Sequence, residues 1–573
     1  MPPDASSRAA PDALLDALPS LLAREGKVAV LQRLIVAVVQ HPEQAALRVA
    51  LADQLDGVGL GAISPAVRDV IGRLLEDPGI AVQPLAGAAL GPAMATPAYQ
   101  ALVAAARAEV PPPDDAVAAW CHDALVVAAL PRLVGFQPEL EAVLAHLRRT
   151  LLDAAIPAAT IPESGPMPVP APLPFLCALA GHAFAGEYPW EERAADAARV
   201  AALEAWLAGP LLAARGAMVV PAPVEAAVAL LAAWRPLAEC AVASALLELP
   251  DAAWTTAGRS LRALQLHEPL DEARRAAALP RCTPLADATS QAVQAMYEAN
   301  PYPRWLTLRR PVPHRLGAYV HHWRPELPRE PEATRLLVAG CGSGQQLLHL
   351  ALAFPEAEVV AFDLSRRSLG YAARMAARFG ATRVQLAQGD LLAYTSAAPF
   401  HLVSCSGVLH HLRDPLAGWR QLRAVLHPEG IMKVGLYSTL ARRGILAAQA
   451  LVAGWGHGTD ADGLRRSRQA LLALPAGHPA RAVFGFVDAY SLSGFRDLVC
   501  HVQERSYTLA EVAASLDAVG MRFLGFQLPA GVLAAFDAGH GTHARGDLAA
   551  WAAFEEAHPD TFAAMYQFWC APG

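Results

Sequence analysis

Arg335-Leu336-Leu337-Val338-Ala339-Gly340-Cys341-Gly342-Ser343-Gly344 is the stretch on which the fold turns. A short apolar run ends in three glycines at alternate positions, and helix-favouring residues 345–353 follow at once. A run of this length suits a buried strand, and the glycines let the chain turn tightly with no Cβ in the way. Downstream the alternation recurs, with strands predicted at 358–363, 383–387, 400–405 and 430–437 and helices at 365–379 and 415–426. Strands alternating with helices specify a parallel sheet covered on both faces, with ligands beyond the carboxyl ends of its strands. The chain closes with a helix at 509–518, capped by Thr508 and ended by Gly520, and a strand at 521–527. The aromatic tail 564–570 reads as an antiparallel seventh strand, which would make the final residues part of the sheet.

The ends of the second and third predicted strands carry side chains suited to parts of a nucleoside. Asp363 lies nineteen residues after Gly344 and ends the second strand. A carboxylate there accepts hydrogen bonds from both hydroxyls of a ribose; the alternative is a cap on the helix starting near Ser365. Gln388-Gly389-Asp390-Leu391 follows the third strand, where an acid or amide can accept from the exocyclic amine of adenine. Ser406-Gly407-Val408-Leu409-His410-His411-Leu412 follows the fourth strand, and Leu426-His427-Pro428-Glu429-Gly430 precedes the fifth.

Taken in order, these five pieces resemble the class I S-adenosylmethionine (SAM)-dependent methyltransferase superfamily. NAD-type Rossmann enzymes space their glycines Gly-x-Gly-x-x-Gly, whereas this chain has Gly-x-Gly-x-Gly. The resemblance implies an α/β Rossmann-like domain of seven strands with SAM as cofactor. It implies cofactor contacts from Gly340, Cys341, Gly342, Gly344, Asp363, Leu364, Asp390, Leu391 and Ser406. Three positions depart from the pattern. Val338 stands where many relatives carry an acid, His401 where strand four often has aspartate, and Glu429 where the turn before strand five has its first glycine.

Upstream, Tyr297-Glu298-Ala299-Asn300-Pro301-Tyr302-Pro303-Arg304-Trp305 is dense in aromatics and stiffened by proline. It resembles a segment of bacterial proteins that fuse an N-terminal helical, often tetratricopeptide-like, region to a methyltransferase domain. Further matches to those fusions are Leu173 to Ala180 with Glu187-Tyr188, Gly435-Leu436-Tyr437-Ser438, Asp497-Leu498 with His501-Val502-Gln503-Glu504, and Phe554-Glu555-Glu556 with Met565 to Trp569. Two roles suit the aromatic segment, a lid whose ring faces attract a sulfonium cation or a linker packed between two halves. Residues 438–507 form a long insertion after strand five, with arginines at 442, 443, 465, 466 and 468. Insertions there usually shape the substrate pocket. Asp497, His501 and Glu504 fall at i, i+4 and i+7, which predicts one helix face able to present a general base or bind a metal, or to lie as a hydrated salt-bridged surface. No metal site is expected. Candidate catalytic groups are Tyr297, His410, His411, His501 and Glu504.

The 573 residues are 54% hydrophobic and 17% charged, too many for one core and rich in alanine, which favours helix. Helices are expected at 28–40, 66–75, 116–129, 137–152 and 224–249, punctuated by proline at 111–113 and between 157 and 174. The predicted organisation is a solenoid-like all-helical domain at 1–280, an aromatic lid or linker at 281–333, and a methyltransferase domain at 334–573. A net charge of −7 leaves no basic footprint for a nucleic acid. Eight cysteines without a Cys-x-x-Cys pair read as reduced thiols. Residues 1–20 lack a signal pattern, and the uncharged runs 78–106 and 165–186 are broken by proline, so a cytoplasmic protein with no membrane partner is expected. The expected acceptor is a peptide or protein, with a specialised metabolite next. The alternative is a non-catalytic SAM-binding or interaction scaffold.

Overall fold

The computed structural model describes residues 5–157 and 167–573, and the chain divides into two units. Unit 1 is Met1–Pro269 with Trp305–Arg309; unit 2 is Leu270–Arg304 with Arg310–Gly573. Part of the proline-rich stretch between 157 and 174, and the first four residues of the N-terminus, lie outside the described residues.

Every regular element among the described residues of unit 1 is helical. The helix Pro138–Ala155 shows why: Leu140, Val143, Leu144, Leu147 and Leu151 recur at three- and four-residue spacing and are buried. Arg148 is buried on the same helix because its guanidinium lies over the rings of Trp234 at 3.7 Å and Trp190 at 5.0 Å, contacts worth about 2 kcal/mol when desolvated. Two expected helices are divided. The run 116–129 breaks at Asp123, whose side chain caps a new helix by accepting from the amides of Leu125 and Val126. The run 224–249 breaks into Ala222–Ala232 and Ala243–Glu248, because Pro236 removes a helical donor between them. No helix among the described residues is long and apolar enough to cross a membrane.

Unit 2 is built on a seven-stranded sheet. Its strands are β1 (Arg335–Ala339), β2 (Glu358–Asp363), β3 (Val384–Gln388), β4 (Phe400–Ser406), β5 (Leu426–Leu436), β6 (Met521–Phe526) and β7 (Tyr566–Pro572), in the order β3-β2-β1-β4-β5-β7-β6. Strands β1 to β5 pair in parallel, and β7 runs antiparallel between β5 and β6. This is the α/β Rossmann-like arrangement expected, final strand included. Alternate residues face opposite cores: Leu337, Ala339, Val403 and Cys405 on one side, Leu336, Val338 and Leu402 on the other. Strand β5 starts four residues earlier than expected. Phe400 pairs with Leu426 and Leu402 with Ile431, so His427 to Gly430 bulge out of a continuing strand instead of preceding it as a turn. Thr508 and Glu511 form a capping box at the start of Leu509–Ala518, worth about 1 kcal/mol.

The strand order reverses at β1, with β2 on one side and β4 on the other. The carboxyl ends of β1, β2 and β4 therefore open onto a crevice at the switch point.

Candidate active site

The glycine loop leaves β1 with Gly340 and Gly342 at φ +68° and +52°, a region L side chains rarely adopt. A Cβ on Gly340 would sit 2.3 Å from Val408 Cγ2, and one on Gly342 would sit 2.7 Å from the carbonyl oxygen of Tyr302. The amides of Gly340 and Cys341 donate to Phe362 O at 2.9 and 3.0 Å, which ties the loop to the end of β2. Gly344 caps the following helix Gln345–Ala353. Ser406, at the end of β4, accepts from Gln346 Nε2 at 3.3 Å.

Asp363 ends β2 beside this loop. Its Oδ2 accepts from the Gly342 amide at 2.8 Å and its Oδ1 from the Ser365 amide at 2.9 Å. Each oxygen keeps a lone pair, and the side chain is partly accessible, so it fits the two hydroxyls of a ribose. Burial raises its pKa, and the two amide hydrogen bonds oppose that shift. The cap on the following helix is made by the Ser365 side chain, not by Asp363. Directly opposite on β3, Gln388 pairs with Asp363 and donates to Leu364 O at 2.9 Å. Asp390 is buried after β3; its amide donates to Thr283 Oγ1 at 2.6 Å and its Oδ1 accepts from Leu392 at 2.9 Å. Leu391 is buried alongside. The nine residues expected at the cofactor thus gather at the carboxyl ends of β1 to β4. The cradle fits a nucleoside: an accessible carboxylate at a ribose position, an acid at an adenine position, and a turn only glycine leaves open.

The aromatic segment is fastened to this cradle. Ser343 N donates to Tyr302 O at 3.1 Å, and Ser343 Oγ donates to Pro303 O. Ser365 Oγ donates to Tyr297 O at 3.2 Å. Glu298 accepts from the amides of Arg366 and Arg367 at 2.6 and 3.2 Å, an acidic group placed at a helix N-terminus.

Beyond it, Tyr297, His411, Asp497 and His501 come together. Tyr297 Oη donates to Asp497 Oδ1 at 2.7 Å and lies 3.2 Å from His501 Nε2. His501 Nδ1 accepts from the Gln503 amide at 3.0 Å, so the proton of a neutral ring sits on Nε2 and points at Tyr297. His411 has the opposite tautomer: its Nδ1 donates to Gln503 O at 2.7 Å, leaving a lone pair on Nε2. The rings of His411 and His501 stack at 3.7 Å, and His410 stacks on Tyr437 at 4.0 Å. Burial sets the protonation of the group. It pushes Asp497 up to about 7, His501 down to about 4, and His410 and His411 well below the ordinary histidine range. The directed chain His501 Nε2–H to Tyr297 Oη–H to Asp497 ends on the one group whose pKa lies near neutrality, which is what a general base needs.

His411, Asp497 and His501 also offer ligand atoms within 4.8 Å of one another. A metal-bound histidine keeps its second nitrogen protonated to donate outward. His501 Nδ1 instead accepts an amide hydrogen, so its Nε2 has no lone pair to give. The hydrogen bonds favour proton handling over metal binding.

The expected helix face at Asp497, His501 and Glu504 is not formed. The helix Leu492–Cys500 ends before His501, which is extended, because the chain leaves to pair with the segments that follow β4 and β5: Arg505 N donates to His410 O and Tyr507 N to Tyr437 O. Glu504 faces Arg442 instead, accepting from its Nη2 at 2.9 and 3.0 Å, and accepts from Gln449 at 3.2 Å. It holds Arg442 against the Tyr437 ring, 3.6 Å from its centroid. Asp488 was not singled out by sequence reasoning, yet it accepts from Tyr302 Oη at 2.9 Å. A single sequence offers no signal for it, since its partner lies 186 positions away.

A family described as Methyltransferase domain matches residues 337–432. An uncharacterized protein of Synechococcus sp. is 31% identical over 262 residues, 42% of this chain and 61% of that protein. The malonyl-[acyl-carrier protein] O-methyltransferase of Halalkalibacterium halodurans is 30% identical over 136 residues, 23% of this chain and 48% of that enzyme. Among solved structures, PKMT2 from Rickettsia typhi in complex with AdoHcy aligns with a TM-score of 0.36 at 16% identity, covering 48% of this chain and 55% of that one. The chain spans about half to three fifths of the length of these curated relatives.

Proposed function

We propose that this chain, which carries a class I SAM-dependent methyltransferase domain, is an enzyme that methylates a nucleophile whose proton is taken up by Asp497 through Tyr297. The observation that carries the reading is the meeting of two sets of groups. A glycine loop and Asp363 form a nucleoside cradle, and a base of pKa about 7 stands across the aromatic segment from it. SAM, when bound, supplies an electrophilic methyl group on a sulfonium.

The residues of the chain do the remaining work. Gly340, Cys341, Gly342, Gly344, Asp363, Leu364, Asp390, Leu391 and Ser406 hold the cofactor. The segment 297–304, pinned at Ser343 and Ser365, acts as a lid that keeps water from the reacting centre. Tyr297 accepts the acceptor's proton at Oη as it passes its own to Asp497. His501 fixes the direction of that hydroxyl, since its Nε2–H occupies one lone pair of Oη. His411, far below neutrality, and Glu504, held by Arg442, are poor bases and serve as walls. Positioning and proton removal are what an in-line transfer asks of a protein.

The acceptor in this reading is a peptide or protein side chain, the class of ligand that the grooves of helical repeats bind. A metabolite acceptor is the second reading, favoured by the similarity to an enzyme that methylates malonyl-[acyl-carrier protein]. Incubation with methyl-tritiated SAM and separated peptide and small-molecule fractions of a bacterial lysate tests both. Label in the peptide fraction is expected. Label in the small-molecule fraction alone selects the second reading, and S-adenosylhomocysteine formation in neither overturns the enzyme in favour of a binding scaffold.

A further inference from the structure

We propose that the acceptor enters this site as an ammonium ion, held by the carboxylate of Asp488 beside the rings of Tyr297 and Tyr302, with the buried carboxylate of Asp497 behind the Tyr297 hydroxyl. The proposal rests on the methyl-transfer reading above. It begins with a count of charges. Arg442 is closed on Glu504, whose two oxygens both take its Nη2. Asp488 and Asp497 have no salt-bridge partner among the described residues, and Arg442 acts on them only from a distance. Their hydrogen-bond donors are two tyrosine hydroxyls, from Tyr302 at 2.9 Å and Tyr297 at 2.7 Å. The cleft therefore holds two carboxylates with nothing cationic beside them, an arrangement that is costly unless a ligand supplies the charge.

Tyr297, Tyr302, Asp488 and His501 keep part of their surface open, whereas Asp497, His410, His411 and Arg442 are closed off. The Tyr297 and Tyr302 rings lie 6.3 Å apart and 19° from parallel, offering π faces beside the two acids. Behind them, His410 is fully buried and stacked on Tyr437, and neither of its ring nitrogens has a hydrogen-bond partner among the described residues. An ammonium has three hydrogens to give, enough for Asp488, the Tyr297 oxygen and one further acceptor. A neutral hydroxyl has one, and would leave an acid uncompensated.

The chemistry balances. An acceptor R–NH3+ gives one proton to Asp497 through Tyr297. The freed nitrogen pair forms the new N–C bond as the methyl carbon's bond to sulfur breaks with its electron pair on sulfur. The products are R–NH2–CH3+, neutral S-adenosylhomocysteine and a proton that Asp497 returns to solvent.

The test is calorimetry on the full chain saturated with S-adenosylhomocysteine, with n-butylammonium and the isosteric, uncharged n-butanol as probes. Butylammonium is expected to bind at least tenfold more tightly than butanol. In Asp488→Asn, which keeps an acceptor for Tyr302, that preference is expected to vanish while S-adenosylhomocysteine affinity stays within threefold. Equal binding of the two probes overturns the proposal, and that comparison needs no variant. So does Asp488→Asn that weakens SAM but not butylammonium, because the acids would then serve the cofactor's cation. Failure of S-adenosylhomocysteine itself to bind overturns the methyl-transfer reading and this proposal with it; binding without discrimination overturns this proposal alone.

Discussion

Tyr297 and Asp497 stand 200 positions apart in the chain, and the hydroxyl of the first donates to the carboxylate of the second at 2.7 Å. The direction of that bond is fixed from the other side, where His501 Nε2 occupies the tyrosine oxygen. The tyrosine comes from a segment pinned to the glycine loop and the carboxylate from the insertion after β5, so the bond joins those two segments.

Removing the hydroxyl should interrupt the proton path and little else. Tyr297→Phe is expected to lower kcat about 10- to 100-fold, and Asp497→Asn about 100- to 10,000-fold, the usual range for losing a general base. SAM affinity by calorimetry should stay within about threefold in both, because neither residue belongs to the nucleoside cradle. Equal loss of kcat and cofactor affinity would make the pair a structural clamp instead.

Asp497 must be ionised to accept a proton, and burial places its pKa at about 7. The logarithm of kcat/KM is therefore expected to rise with unit slope below pH 7 and level off above it. The inflection should disappear in Asp497→Asn. A profile that is flat from pH 5.5 to 8 in the wild type would remove Asp497 from the reaction.

Stability should respond to the same group with the opposite sign. In the unfolded chain an aspartate loses its proton near about 4, while folded Asp497 keeps it to about 7. Between those values the folded state binds more protons, so this contribution to stability falls as pH rises. His501 acts in the other direction: its folded pKa of about 4 lies below the unfolded value of about 6.5, so stability is lost as pH falls through that window. Comparing thermal midpoints of wild type and Asp497→Asn isolates the aspartate. The wild type should lose ground to the variant steadily from pH 4.5 to 7.5, and a constant difference would contradict the burial argument.

Gly342 sits at φ +52° with Tyr302 O where its Cβ would be. Gly342→Ala should force the loop from the lid and add about 1–3 kcal/mol of backbone strain. A lower melting temperature together with at least tenfold weaker SAM binding is the expected outcome. Unchanged binding would show that the loop does not shape the cofactor site.

The cradle was legible in the sequence because it is local. Gly340 to Gly344, Asp363 and Asp390 each follow a strand that hydrophobic patterning reveals, and the fold brings strand ends together regardless of detail. The proton path was legible only in its members. Tyr297, His411 and His501 are identifiable as candidates, but the spacing of Asp497 with His501 and Glu504 predicts one helix face, and nothing local marks Asp488. Helical spacing assumes the helix continues. Here it ends at Cys500, because pairing of Arg505 and Tyr507 with the residues after β4 and β5 draws the chain away. Such long-range backbone bonds leave no trace in local periodicity. The same holds for the break at Asp123, where a side-chain cap outweighs a continuous apolar pattern.

The most direct test of the account is calorimetric titration of SAM into the full chain and into Asp363→Ala. In the proposed reading Asp363 would accept charge-assisted hydrogen bonds from the ribose, each worth about 1.5–3 kcal/mol. The account predicts micromolar binding to the wild type and a loss of about 100-fold or more in the variant, with the fold intact by circular dichroism. Equal affinity in the two proteins, or no binding to the folded wild type, would contradict it.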